Sequence, residues 1–210
     1  MIHIGETEFY RAVYDDAFAH DVVLVEGVRS PITTRVTRAY RWMAGSKRLG
    51  GLVVQPRAPA LEERHARVVH ADLSGEEFAR VWKSVPFWLR ALIYVAAPIF
   101  ALRYRWFGTR EMLAHSLSSL DDAPSMKELL SWTPERALFD KAVLEARDKR
   151  LVDTLGKELD NPRAGETRLA IVYGAGHMRA VLRELTGVRG FLPDHGEWLT
   201  VFRPWDPAGA

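Results

Sequence analysis

Two short apolar segments constrain the fold of this chain more than any other feature of its sequence. Residues 21–27, DVVLVEG, contain an uninterrupted apolar run of the kind that forms strands buried on both faces of a sheet. Residues 169–173 form a second such run, which leads through Gly174 and His177 into apolar residues at helical spacing. Because strand–helix units occur at both ends of the chain, we predict an α/β fold with a central mixed sheet flanked by helices.

The middle of the chain has a helical pattern almost throughout, between residues 76 and 159. We therefore predict one domain over residues 1–210, with an all-helical insertion at about residues 76–132. After the insertion, Thr133 and Pro134 predict the start of a long amphipathic helix, as N-cap and first helical residue.

Shorter signals predict the remaining elements. Ser74 and Glu77 have the spacing of a capping box, which predicts the start of a helix there. Pro31 occupies a position that the first turn of a helix accepts. Further strands are predicted at residues 2–5, in GGLVVQP, in RVVHADLS and, as an edge strand ending at Pro204, in EWLTVFRP.

Composition narrows the classes of function. The chain has no cysteine, so any bound metal would need His, Asp, Glu or Asn as ligands. A net charge of +2 is too small to indicate nucleic-acid binding, and we expect no nucleic-acid partner. The first residues have neither a basic start nor a long apolar run, so we expect no signal peptide and a cytoplasmic protein.

Residues 78–110 contain no acidic residue, whereas six residues there are basic: Arg80, Lys83, Arg90, Arg103, Arg105 and Arg110. Within this segment the apolar run at residues 91–102 is shorter than the roughly 20 residues that span a bilayer. We expect residues 87–107 to form a helix that does not span a membrane and is buried in the core. A homodimer interface and a peripheral membrane contact with an aromatic and basic rim are the alternatives.

Polar side chains recur where the predicted strands end. They are His3, Glu6, Glu26, His70, Asp72 and His177. In open α/β sheets, ligands bind beyond the carboxyl ends of the strands. Two histidines and a carboxylate are a common set of ligands for a divalent metal in a protein without cysteine.

Each of these residues also has a purely structural interpretation. In this interpretation, His3 is merely exposed near the terminus, His70 is a satisfied core histidine, and Glu26 caps the helix that begins at Pro31. The structural interpretations of the Gly-Ala-Gly-His segment are a tight turn and part of a dinucleotide loop. The dinucleotide loop is the weaker interpretation, because Arg179 occupies the position of its third glycine.

Four segments in this order resemble the TraB family, which includes pheromone-shutdown proteins, the GumN group and the Tiki proteases. They are IHIGETEFYRAV, DVVLVEG, ARDKRLVDTL and IVYGAGHM. His177 closes a Gly-x-x-His motif, Glu26 matches the glutamate after the second strand, and Arg147 matches the arginine of the long helix. Asp72 matches a residue of the family's Asp-Arg-Asp segment. His3 matches the first Gly-x-x-His motif, whose glycine would precede residue 1.

This resemblance implies a fold like that of the erythromycin-esterase-like, ChaN-like and Tiki proteins, and a metal-dependent, peptidase-like hydrolase. A divalent ion (Mn, Co or Zn) would be bound by His3 and His177 with Glu26 or Asp72, and would activate water for attack on a carbonyl. Arg147 would stabilise an oxyanion or a substrate carboxylate. The substrate would be a peptide or a small molecule.

The alternative is a non-catalytic regulatory protein that binds a peptide or hydrophobic ligand, of the pheromone-shutdown or haem-binding type. Its groove would be formed by the aromatic residues of the helical insertion, namely Trp82, Trp88, Trp106 and Trp132.

Two expectations follow for the site itself. His3, Glu26 and His177 should converge at one sheet edge, with side-chain atoms within about 8 Å of one another and Arg147 nearby. Because only two residues precede His3, we also expect the natural protein to begin upstream of Met1, since a ligand at a fraying terminus is poorly held.

Overall fold

The computed structural model describes residues 3–56, 66–115, 143–161 and 167–205 of the chain. In this part the protein is a mixed α/β protein with small sheets, as the sequence predicts at that level. The strands are β1 (Ile4–Glu6), β2 (Val22–Val25), β3 (Leu52–Val54), β4 (Arg67–His70) and β5 (Leu169–Val172). The α-helices are α1 (Thr7–Phe18), α2 (Pro31–Ala44), α3 (Gly75–Ser84), α4 (Phe87–Phe107), α5 (Glu145–Leu159) and α6 (Met178–Leu182). The structure also contains single 3₁₀ turns at Lys47–Leu49 and Ala175–His177 and a π-helix at Arg183–Val188.

Three strands form a parallel sheet in the order β4–β2–β5. The central strand β2 has the sequence VVLV and is buried along its whole length. Val23 and Val25 pack against α1 on one face, while Val22 and Leu24 pack with residues of α5 and α6 on the other. A parallel strand covered by helices on both faces needs apolar residues at every position, so the predicted buried strand is confirmed.

The other two strands form a separate antiparallel pair, β1 with β3, in which Ile4 lies opposite Val54. The predicted single central sheet is therefore divided in two within the described residues. The β1–β3 pair contributes Ile4 and Leu52 to a second apolar cluster, which also contains Ala101 and Tyr104 of α4.

The edge strand predicted in EWLTVFRP is wrong, because residues 191–203 have no regular secondary structure. They nevertheless run beside β1, where the Glu6 N–H donates to the Val201 carbonyl oxygen at 2.9 Å. A strand needs a repeated ladder of such bonds, and one bond does not establish it.

Capping explains where two helices begin. At α3, the Glu77 N–H donates to Ser74 Oγ at 3.2 Å and the Ser74 N–H donates to Glu77 Oε2 at 2.8 Å, which confirms the predicted capping box. At α2, Ser30 and Thr33 form a second capping box, with Pro31 in the first turn. The predicted helix start at Thr133 lies outside the described residues.

The described part of the predicted insertion consists of α3, α4 and the helical residues 110–115. Trp132 lies outside it. The expectation that α4 is a core helix is wrong, because only Ala101 and Tyr104 of its residues are buried. The apolar residues of α4 are distributed around the whole helix, whereas α2 and the neighbouring core pack against only one of its sides. By length and composition alone, α4 is the one helix of the described chain that could cross a membrane.

Candidate functional site

The carboxyl ends of the three parallel strands meet at one edge of the sheet. Glu26 follows β2 directly, Asp72 follows β4, and the turn that ends at His177 follows β5. Because Val25 lies opposite both His70 and Val172, the three strands end at the same level. The topology therefore brings residues that are distant in sequence to the edge where α/β proteins bind ligands.

Helix α5 places Arg147 between two of these carboxylates. Its Nε donates to Asp72 Oδ1 at 2.9 Å, and its Nη2 donates to Asp72 Oδ2 at 2.6 Å. The same Nη2 donates to Glu26 Oε1 at 2.7 Å. We call Glu26, Asp72 and Arg147 the carboxylate–arginine cluster. The two-point pairing with Asp72 uses the planar fork of the guanidinium and fixes its orientation.

Backbone N–H groups complete the hydrogen bonding of both carboxylates. Gly174 donates to Glu26 Oε2 at 2.6 Å. Leu73 donates to Asp72 Oδ1 at 2.8 Å, and Gly27 donates to Asp72 Oδ2 at 3.1 Å. The Asp72 side chain is only 1% exposed, and a charge buried to that degree requires such compensation.

The protonation of the cluster follows from these contacts. Burial by itself would raise the pKa of Asp72, but Arg147 and the backbone N–H groups outweigh it and hold that pKa below its usual value. The pKa of Glu26 is likewise lowered, because Arg147 and the Gly174 N–H outweigh the effect of burial. Burial would lower the pKa of Arg147, and the two carboxylates raise it instead. All three groups are therefore ionised at neutral pH.

His177 lies at the same edge and pairs with the residue that follows Arg147 on α5. Its Nδ1 is 2.5 Å from Asp148 Oδ1, and the imidazole is buried. Within the described chain, this is the one hydrogen bond of the imidazole, so its Nε2 has no partner there. The Nη1 of Arg147 likewise makes no hydrogen bond with the part of the chain that the structure describes.

Tyr173 lies beside both His177 and Arg147. Its ring stands perpendicular to that of His177 at 5.1 Å between centroids, and the guanidinium carbon of Arg147 lies 5.9 Å from its centroid. Its hydroxyl donates to the Ala71 carbonyl oxygen at 3.2 Å. Burial, followed by the charge of Asp72, raises the pKa of Tyr173, so its hydroxyl stays protonated at neutral pH.

The structure thus brings Glu26, Asp72 and Arg147 into direct contact and places His177 at the same sheet edge. His3 precedes β1 of the antiparallel pair and is exposed, and its Nδ1 lies 3.1 Å from Gln55 Oε1. The hydrogen bonds described for Arg147 and Asp72 do not involve it.

The four predicted metal ligands do not form a joint donor set in this arrangement. The oxygens of Glu26 and Asp72 already accept hydrogen bonds, and Nδ1 of His177 is paired with Asp148. In the described ranges, no group of three or more His, Asp or Glu side chains could hold a metal ion together. His70, also considered from the sequence, is exposed at the end of β4.

Two residues of this site are missed from the sequence. Asp148 could have been suspected because it follows Arg147 directly, which places both near the same end of the sheet. Tyr173 ends the apolar run before Gly174. A polar hydroxyl at the end of a buried strand is the sequence signal that could have indicated this residue.

Comparison with known proteins adds no family to these observations. No family model matches the chain, and no curated protein or solved structure matches it significantly. The resemblance to the TraB family therefore stays an expectation that rests on the four short segments and on Glu26, Asp72, Arg147 and His177.

Proposed function

We propose that the chain is a hydrolase whose reactive group is His177, oriented by Asp148 beside the carboxylate–arginine cluster. The observation that carries this proposal is the 2.5 Å contact between His177 Nδ1 and Asp148 Oδ1. A carboxylate that accepts the Nδ1 proton fixes the tautomer in which Nε2 is the base.

The hydrolytic step would use His177 Nε2 as general base. It accepts a proton from water while the water oxygen bonds to the substrate carbonyl carbon, and the carbonyl electrons move onto its oxygen. The imidazolium, stabilised by Asp148, then donates this proton to the leaving nitrogen or oxygen as the carbonyl re-forms. The products are an acid and an amine or alcohol.

Arg147 would stabilise the negative oxygen through Nη1, because Nε and Nη2 are engaged by Asp72 and Glu26. Glu26 and Asp72 would act as positioning residues, since they fix the direction of the guanidinium without contacting the substrate. A donor held in advance costs no reorganisation when charge develops on the substrate.

The resemblance to the TraB family extends the proposal to peptide substrates, to the erythromycin-esterase-like, ChaN-like and Tiki type of fold, and to a divalent ion. Because the carboxylate oxygens of Glu26 and Asp72 already accept hydrogen bonds within the protein, we assign no step to a metal ion. Measuring the metal content of untagged protein tests this part separately from the hydrolytic one.

The test is hydrolysis of a panel of chromogenic peptide and ester substrates by wild type, His177→Ala and Asp148→Asn. General acid–base catalysis contributes about 10²- to 10⁴-fold, so His177→Ala should lose at least about 100-fold in kcat. His195→Ala is the matched control, because His195 forms an exposed pair with Asp194 at 3.1 Å outside the site. Turnover that survives in His177→Ala, or no turnover of the whole panel by wild type, contradicts the proposal.

A second candidate is the binding of a hydrophobic ligand without catalysis. It is favoured by a cavity of about 420 Å³ between α2 and α4. The cavity is lined by Arg35, Arg38, Trp42, Tyr94, Ala97 and Pro98, among others. Binding of a fluorescent fatty acid that is lost in Ala97→Phe and kept in His177→Ala would support this function.

A further inference from the structure

Helix α4 carries a continuous apolar stripe on its exposed side. Its members recur at alternating spacings of four and three residues: Trp88, Leu92, Val95, Ile99, Leu102 and Trp106. Each of these side chains is between 36% and 62% exposed. Residues at this spacing share one face of a helix, so they form a single row, which we call the α4 stripe. Large contiguous apolar surfaces on soluble proteins mark places of interaction.

The two helices of this region carry basic side chains but no acidic ones. Neither α2 nor α4 contains an acidic residue, and the acid-free stretches extend over residues 27–61 and 78–110. The two helices together carry six arginines: Arg35, Arg38, Arg41, Arg90, Arg103 and Arg105. None of the six forms an ion pair within the described part of the chain.

The two helices lie side by side, because Arg35 and Arg38 of α2 and Tyr94 and Pro98 of α4 line one cavity. The Ser46 hydroxyl, just after α2, donates to the Arg105 carbonyl oxygen at 3.0 Å, and Arg105 Nη1 donates to the Trp42 carbonyl oxygen at 3.3 Å. We call this surface the α2–α4 face. Its six positive charges exceed the +2 of the whole chain, so acidic residues are concentrated elsewhere.

A second copy of the chain fits this surface poorly. Paired helices with apolar seams are stabilised by opposite charges beside the seam. Two α2–α4 faces would bring arginines together with no carboxylate of either helix to neutralise them. Like charges across an interface oppose association.

A bilayer-spanning orientation is also disfavoured. Arg90 and Arg103 lie within α4, and charged side chains are costly inside the hydrocarbon. The opposite side of the helix is occupied as well, since Ala101 and Tyr104 are buried in the protein core.

We propose that the α2–α4 face docks onto an anionic lipid bilayer, with α4 lying parallel to the membrane plane. The α4 stripe would enter the boundary between headgroups and acyl chains, and the arginines would bind lipid phosphates. Trp88 and Trp106 end the stripe, about 27 Å apart along the helix, and indole rings favour the membrane interface. This proposal is independent of the hydrolytic function.

The experiment is co-sedimentation of the full chain with vesicles of phosphatidylcholine alone or mixed with phosphatidylserine. We expect binding to the mixed vesicles, weak binding to the neutral ones, and release from the mixed vesicles at high salt. Ile99→Glu should weaken binding by at least about tenfold, since it removes an apolar side chain from the bilayer and introduces a negative charge. Arg103→Glu should also weaken it.

Leu192→Glu is the matched control, because Leu192 is 88% exposed and lies outside both helices. Its binding should equal that of the wild type, and circular dichroism should show the same helix content in all variants. Equal binding to neutral and anionic vesicles, or no binding to either, overturns the proposal. Resistance to carbonate extraction would replace it by a spanning helix, and vesicle-free dimers abolished by Ile99→Glu would replace it by self-association.

Discussion

The carboxylate–arginine cluster and the α2–α4 face use the same residue type in opposite ways. At the sheet edge, Arg147 is surrounded by two carboxylates and its position is fixed by three hydrogen bonds. On the α2–α4 face, six arginines have no ion-pair partner in the described chain, beside a row of exposed apolar side chains. Charge that is neutralised internally serves structure and positioning, whereas charge left unpaired beside apolar surface is available to an external partner.

The largest expected effect is a difference in unfolding free energy between variants of the paired Arg147 and of an unpaired arginine on the α2–α4 face. Arg147→Met leaves Asp72 and Glu26 buried without their counter-charge, which should cost about 3–5 kcal/mol of unfolding free energy. Arg103→Met removes an exposed, unpaired charge and should change stability by less than about 0.5 kcal/mol. Urea denaturation measures both. Similar losses in the two variants would contradict the distinction.

The next expected effect is a difference in acid sensitivity, because the cluster contains two carboxylates with lowered pKa values, whereas helices α2 and α4 contain no carboxylate. Groups whose pKa is lower in the folded state contribute stability above their unfolded pKa of about 4, and this stability is lost as the pH falls through the folded value. We expect the unfolding free energy of wild type to fall steeply below about pH 4. The fall should be shallower in Asp72→Asn, as measured by urea midpoints over a pH series. An equally steep fall there would argue against the assignment.

A smaller effect is expected from the tyrosines of the two regions. Tyr173→Phe removes the donor to the Ala71 carbonyl oxygen and should cost about 1 kcal/mol. Tyr94→Phe, beside the cavity of the α2–α4 face, removes a hydroxyl with no hydrogen bond in the described chain and should cost less than about 0.5 kcal/mol. Thermal denaturation of both variants gives the difference, and a reversed order would contradict it.

The smallest effect concerns repulsion within the α2–α4 face. Arg38→Gln should stabilise the protein by a few tenths of a kcal/mol at low salt, because it reduces repulsion among unpaired cations. The gain should disappear as salt screens these charges. Urea titrations at two ionic strengths measure it, and a gain that is unchanged by salt would point to another cause.

The site shows what the sequence could predict. Glu26 and Asp72 follow apolar strands, and a charge at such a position must be solvated or paired, so their place at the sheet edge follows from local pattern. The prediction of Arg147 as a site residue rested only on the TraB resemblance, because nothing in the sequence of an amphipathic helix distinguishes one arginine from another. To predict Asp148 as a site residue, one must know which side of α5 faces the turn at His177. That orientation depends on packing between segments that are distant in sequence.

The fold was predictable where one strand was buried on both faces and less so elsewhere. The division into two sheets depends on which distant strands pair, and β1 and β3 have only three residues each to specify it. The exposure of α4 was missed because an apolar helix has the same composition whether it is buried or exposed. The segment at residues 197–204 is not a strand, because it forms one backbone hydrogen bond with β1 and not the repeated ladder that a strand requires.

The position of Arg147 on helix α5 also affects local opening of the sheet edge and hydrogen exchange there. The N–H groups of Gly27, Leu73 and Gly174 each follow a different strand, yet all three donate to carboxylates held by the single side chain of Arg147. None of these amides can reach solvent deuterium freely while the guanidinium stays in place. The three strand ends should therefore open together as one cooperative unit, with a common free energy of exchange, although they are up to 147 positions apart in the chain.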